Sequence, residues 1–171
     1  MLNMRGLRLK FMLFLYNWSS RLYAELFKGY KAAWGIKKEE FLEYQEGSLG
    51  YALGMFYKEK GFDVMPKLEN HDVFHLITET GTEISDEIAM QYLLFGNGKL
   101  SLYLLAMIFI GTFVFPEHSA HYWSSYRKGK AMHKFHHIEF KTFLNESLST
   151  LQLSLDKKQL KLQVNPIQHG K

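Results

Sequence analysis

The sequence predicts an all-α protein, a single-domain helical bundle of about seven to nine helices. Three observations carry that expectation. Apolar residues recur at helical spacing along nearly the whole chain. Only three prolines interrupt it, Pro66, Pro116 and Pro166. No stretch alternates strongly enough to suggest a substantial sheet. The 171 residues are enough to bury one core. They divide into one helical domain over 1–156 and a polar C-terminal tail over 157–171.

The elements follow in order. The basic start Arg5-Gly-Leu-Arg8-Leu-Lys10 leads into apolar Phe11–Trp18 without a small-residue cleavage site, so a first amphipathic helix is expected ahead of a signal peptide. Leu22, Leu26, Ala33 and Trp34 suggest a helix ending near Gly35. Lys37–Glu46 starts charged and should stop at Gly47. Leu49, Leu53, Phe56 and Tyr57 form the stripe of the next helix, closed by Gly61. A helix through His71 to about Thr80 begins at Pro66 or is capped by Asn70, and Gly81 breaks it. Thr82 or Ser85 should cap a helix through about Phe95, and Gly96-Asn97-Gly98 is a turn. Leu100–Phe115 is apolar on every side. It covers about 24 Å at about 1.5 Å per residue, short of the about 30 Å of a membrane core. A buried central helix is therefore expected first, a helix lying in a lipid surface next, and a true span last. A polar helix should run from Glu117 to His137, with short helices at Ile138–Asn145 and Leu148–Leu155. In the tail, Leu160, Leu162 and Val164 alternate as a short strand could.

Composition narrows the functions. Net charge of +4 suits an anionic membrane surface or phosphate-bearing ligand but is too weak to argue for nucleic acid, and no nucleic-acid-binding motif is present. The absence of cysteine excludes disulfides, thiolate nucleophiles and cysteine-held metals. Any metal must be held by histidines and carboxylates.

One stretch offers such a set. His71-Asp72-Val-Phe-His75 is followed, after eleven residues, by Glu87. At about 100° per residue, Asp72 lies about 100° and His75 about 40° around the helix from His71, so the three share a face. Val73 and Phe74 point to the packing side. If the chain reverses at Gly81, the next helix lies antiparallel and returns Glu87 to His75, as helix bundles build metal sites. Two neutral imidazoles and two carboxylates balance a divalent cation. The set His71, Asp72, His75 and Glu87 suits zinc first, with iron, manganese or magnesium as alternatives. The bland alternative is two histidines four apart by chance, with Asp72 favoured near a helix start. A metalloprotease is disfavoured, because Asp72 stands where that motif needs Glu. His133, His136 and His137 share a face, but Arg127, Lys128, Lys130 and Lys134 surround it with positive charge, so a solvated or phosphate-facing surface is expected there. His118 and His121 read as surface residues.

H-D-x-x-H-x11-E resembles the signature of the coenzyme Q (ubiquinone) biosynthesis protein family that is fourth in its pathway's numbered set. Gly47-Ser-Leu-Gly50, Phe56, Gly61-Phe62-Asp63, Gly81-Thr82, Glu87-Ile-Ala89, Tyr126-Arg-Lys-Gly129, Phe143-Leu and Leu148-Ser-Thr-Leu151 resemble further family segments, in order over about residues 30–156. Departures are Glu69-Asn70 where a basic residue often stands, a shortened Asp63–Asn70 stretch and an unrelated tail. The resemblance implies metal-dependent action on a polyprenylated hydroxybenzoate-type ring, with C1 oxidative decarboxylation as the associated reaction. It implies His71, Asp72, His75 and Glu87 as ligands and a cytoplasmic protein held peripherally on the inner membrane surface. Partners would be a prenylated quinone precursor or isoprenoid lipid, other quinone-biosynthesis proteins and a second copy in a homo-oligomer. In an enzyme, His75 would be essential and Asp72 would act as a base if it is not a ligand. The alternative is a non-catalytic metal- and lipid-binding scaffold; a metal phosphohydrolase ranks last.

Overall fold

The computed structural model describes residues 6–14 and 32–157. Residues 6–14 are helical. The helices that follow are α1 (Lys38–Phe41), α2 (Leu49–Lys60), α3 (Glu69–Thr78), α4 (Ile84–Gly96), α5 (Leu102–Val114), α6 (Ser119–Ala131) and α7 (Leu148–Leu155). Single 3₁₀ turns lie at Pro116–His118 and Phe140–Phe143. Among the described residues, extended pairing is limited to two isolated bridges, Ser48 with Ser147 and Met132 with Asp156. The all-α expectation holds. The helix expected through Leu22 and Leu26 and the strand expected near Leu160 lie outside the described residues.

Helix α4 is the hub. Ile84, Glu87, Ile88, Ala89, Met90, Gln91, Leu93 and Leu94 are all buried along it. Met90, Leu93 and Leu94 enter a large cluster with Leu53, Tyr57, Phe74, Ile77, Phe135 and Phe140. Ile88 and Ala89 enter a second cluster with Met12, Met107, Phe115 and Tyr122. α6 lies directly on its backbone: a Cβ on Gly129 would come within 2.0 Å of the Leu93 carbonyl oxygen, and one on Gly96 within 2.2 Å of that of Tyr126. Only glycine permits that approach.

Several expectations are corrected. Leu100–Phe115 is not a buried centre. In α5, Leu104, Met107 and Gly111 face inward, while Leu102, Phe109 and Phe113 are 85%, 75% and 82% exposed. Ala33 and Trp34 are not helical. Trp34 is instead held in place: Glu69 accepts from its backbone N–H, Glu139 accepts from its indole N–H, and Lys141 donates to its carbonyl. The Lys37–Glu46 helix shrinks to α1, and turns follow it.

The polar helix stops at Ala131, six residues before His137. Met132 goes extended there, and the buried side chain of Asn97 takes over the backbone groups beyond it. Asn97 donates to the carbonyls of Gly129 and His133 and accepts from the N–H of Phe135. These bonds compete with helix continuation. Asn70 does the same further on, donating to Ile138 and accepting from Phe140. It is no helix cap: α3 begins at Glu69, and neither Pro66 nor Asn70 starts it.

A candidate metal centre between two helices

Helix α3 carries His71, Asp72 and His75, and α4 carries Glu87. The reversal between them is made differently from the expectation. Glu79, not Gly81, takes the left-handed conformation that ends α3, at φ 51°. Gly81 lies against the Asp86 carboxylate, which a Cβ there would meet at 2.2 Å and push aside. The α4 start is set by Glu83 rather than by Thr82 or Ser85. Glu83 and Asp86 form a reciprocal capping box. This places Glu87 in the first turn of α4, where the helix dipole favours a carboxylate.

The reversal brings the two helices' polar residues together. Glu87 Oε2 lies 3.2 Å from His71 Nε2, and Glu87 Oε1 lies 3.3 Å from His75 Nε2. The rings of His71 and His75 meet edge to face, with centroids 5.0 Å apart. His75 is 4% and Glu87 7% exposed. Among the described residues, these three form the one group whose candidate ligand atoms all lie within 4.8 Å of one another.

The surroundings of His75 orient its ring. Its Nδ1 lies 3.2 Å from the Thr80 carbonyl oxygen and 3.0 Å from that of Gly81. Carbonyls only accept, so Nδ1 carries a proton, and Nε2 on the far side of the ring is turned toward the Glu87 carboxylate. A metal-binding histidine is typically held in this way, by a carbonyl on its far nitrogen. Phe56 stacks on the same ring, with centroids 5.9 Å apart.

Asp72 stands apart from this group. Its Oδ2 accepts a 2.8 Å hydrogen bond from the buried hydroxyl of Tyr57 on α2. Burial pushes the Asp72 carboxyl up to about 6, against the pull of nearby His71 and the Tyr57 hydrogen bond. Burial and the Asp72 carboxylate together raise the Tyr57 hydroxyl well above its ordinary range. Burial works the same way on Glu87, but the hydrogen bonds from His71 and His75 outweigh it and hold that carboxyl far below the usual range. Burial would lower His75; its contact with Glu87 prevails and raises it. Glu87 is therefore an ionised carboxylate facing two imidazole nitrogens. A divalent cation fits that donor set: two borderline nitrogen donors, one hard oxygen donor and a negative charge to offset its own.

A cavity of about 490 Å³ opens onto these residues. Phe56, Phe62, Met65, Leu68 and Ile84 give it apolar walls, with His71, Asp72, His75 and Glu87 on its polar side. The sequence did not reveal Tyr57 or Phe56 as site residues. Both lie on the α2 stripe that reads as core, and nothing in a stripe of apolar spacing marks which hydroxyl will meet a carboxylate across the bundle.

The sequence model of the family described as coenzyme Q (ubiquinone) biosynthesis protein Coq4 matches residues 64–161, more than half of the chain. The chain belongs to the Coq4 family. The match takes in both helices of the metal centre and begins after the Gly47–Asp63 segment. A crystal structure of a candidate ubiquinone biosynthesis protein from Nostoc punctiforme PCC 73102 is similar over 90% of this chain and 81% of that one, at 14% identity and a TM-score of 0.63. That likeness shows a shared fold. No curated protein matches the chain.

Proposed function

We propose that this Coq4-family chain acts in ubiquinone biosynthesis as a metal-dependent protein whose centre handles a polyprenylated hydroxybenzoate-type ring. The observation that carries the reading is the convergence of His71, His75 and Glu87 on one point at the side of an apolar-walled cavity. Three protein donors leave positions open for a substrate oxygen, the arrangement that separates catalytic from structural sites. The bound ion would supply Lewis-acid polarisation of the ring's carboxyl or phenolic oxygen. The chain's own residues do the rest. The carbonyls of Thr80 and Gly81 fix His75, Phe56 backs its ring, and the apolar walls keep water from the prenyl chain. Asp72, next to the centre and held by Tyr57, serves as the fourth ligand or as the base.

Decarboxylation with hydroxylation at C1 exchanges the ring carboxyl for a hydroxyl, releases CO₂ and removes two electrons. It needs an oxidant such as dioxygen, and zinc has no redox chemistry to relay those electrons. Two histidines and one carboxylate also suit ferrous iron. Elemental analysis therefore separates the roles: iron or manganese favours the oxidative enzyme, zinc a scaffold that presents the ring to other enzymes of the pathway.

Docking to the inner, cytoplasmic membrane face rests on the exposed side chains of Leu102, Phe109 and Phe113 on α5. No single described helix is long and apolar enough to cross a membrane; α5 together with Pro116–Ala131 passes on length and composition but is bent by 105°. The deciding experiment incubates the metal-loaded protein and its His75→Ala variant with a prenylated hydroxybenzoate and follows the ring by mass spectrometry. Conversion by the wild type alone supports the enzyme. Equal conversion by both removes His75 from the chemistry.

A further inference from the structure

The end of α3 is gripped from outside by two side chains that never enter the cavity. Lys128 on α6 donates its ammonium to the carbonyl of Thr78, and Gln152 on α7 donates to the carbonyl of Leu76. Both carbonyls belong to the last turn of α3, where oxygens run out of helical partners; that of Leu76 also accepts from the N–H of Glu79. Thr78 is the residue from which the left-handed turn departs. Its hydroxyl donates to the Phe74 carbonyl and meets the Thr80 hydroxyl at 2.7 Å. Thr80 in turn supplies one of the two carbonyls that hold His75 Nδ1, and Gly81 supplies the other.

The opposite side of the same grip is a close backbone contact. Gly129, next to Lys128, sits against the Leu93 carbonyl of α4 with no room for a Cβ. α4 carries Glu87. One helix, α6, thus touches both halves of the centre: the backbone of the helix bearing the carboxylate, and the end of the helix bearing the imidazoles.

We propose that Lys128 is a positioning residue for the metal centre, pinning the Thr78 carbonyl so that the Glu79–Gly81 turn presents its carbonyls to His75 Nδ1 and turns Nε2 toward Glu87 and the ion. This rests on the metal-centre reading above. Its first test is nevertheless free of metal. Proton–nitrogen spectra of the His75 ring, recorded on the metal-free protein, report whether its Nδ1–H is held by the two carbonyls. The wild type should show one sharp, slowly exchanging Nδ1–H signal. Lys128→Met keeps the stem and removes the donor, and should broaden that signal or lose it to exchange with water. Lys128→Arg should restore the wild-type pattern.

The second readout is zinc affinity by competition with a chromophoric chelator. Lys128→Met should bind roughly tenfold more weakly, the scale on which partners behind a ligand act, and Lys128→Arg should recover most of the loss. A purely structural cap would lower the melting temperature of the metal-free variant and leave both the Nδ1–H signal and the zinc affinity where they were; that result overturns the proposal. If the wild type binds no zinc, iron or manganese, the metal reading fails by itself, while the Nδ1–H comparison still decides whether Lys128 orients the ring.

Discussion

Helices α4 and α5 sit side by side, and their apolar content ranks them the wrong way round. α5 is the most continuous apolar run in the chain, yet it turns Leu102, Phe109 and Phe113 to the outside. α4 carries Asp86, Glu87 and Gln91, yet it is buried through Leu94 and forms the hub of both clusters. The position of a helix is set by what can approach it. Gly96 and Gly129 let α6 lie against α4, and Asn97 anchors the chain beyond α6 to its end. No comparable partner covers the outer face of α5 among the described residues. An apolar face left outside is more informative than one inside, because large exposed apolar patches mark contact surfaces.

The largest effect that would sharpen this contrast is a core truncation in α4. Leu94 is fully buried, so Leu94→Ala should cost about 2–5 kcal/mol from lost burial and the cavity left behind. Leu102→Ala removes the same side chain from α5, where it is 85% exposed, and should change stability by at most about 0.5 kcal/mol. Urea unfolding of the two variants reads the difference. Equal losses would mean that α5 is covered by something not visible in the isolated chain.

Next comes the hydroxyl that holds Asp72. Tyr57→Phe leaves a buried carboxylate oxygen without its donor and should cost about 1–3 kcal/mol. A loss below about 0.5 kcal/mol in chemical denaturation would show that the two groups do not meet in solution.

The pH dependence tests the same pair. Burial lifts the Asp72 carboxyl from an ordinary 3.8 to about 6, so the folded, metal-free protein holds that proton more tightly than the unfolded chain. Its contribution is therefore fully present below about pH 3.8 and is lost as pH rises to about 6. Asp72→Asn should remove that downward drift from a plot of metal-free stability against pH. Identical profiles for variant and wild type would place the Asp72 carboxylate in water.

How much of this was legible beforehand divides along the same line. The helical class and the shared face of His71 and His75 were readable because both depend on local periodicity, and Glu87 because one reversal between neighbouring helices brings it back to them. The partners of those residues were not. Tyr57 reaches Asp72 from α2, fifteen positions earlier, and Lys128 reaches Thr78 from fifty positions later. Such contacts are fixed by how whole helices dock, which no local pattern encodes. The end of α6 was misjudged for the same reason, since Asn97 ends it from another helix. The exposure of α5 was misjudged because a run apolar on all sides gives no direction.

The smallest change in stability, and the sharpest question, belongs to that outer face. Replacing Leu102, Phe109 and Phe113 together with Ser should leave the unfolding midpoint within a few degrees of wild type, because these side chains bury little. If the face docks on lipid, the triple variant should lose sedimentation with anionic vesicles, since each apolar side chain transferred from water contributes about 1.5–3 kcal/mol. If a second copy covers it instead, light scattering should show the variant falling from dimer to monomer while wild-type binding to vesicles stays weak. Vesicle binding retained by the triple variant would move the membrane contact away from α5, to the exposed Leu13, Phe62 and Met65 that line the metal-site cavity or to Leu7, Leu9, Phe11 and Phe14 on the helix of residues 6–14.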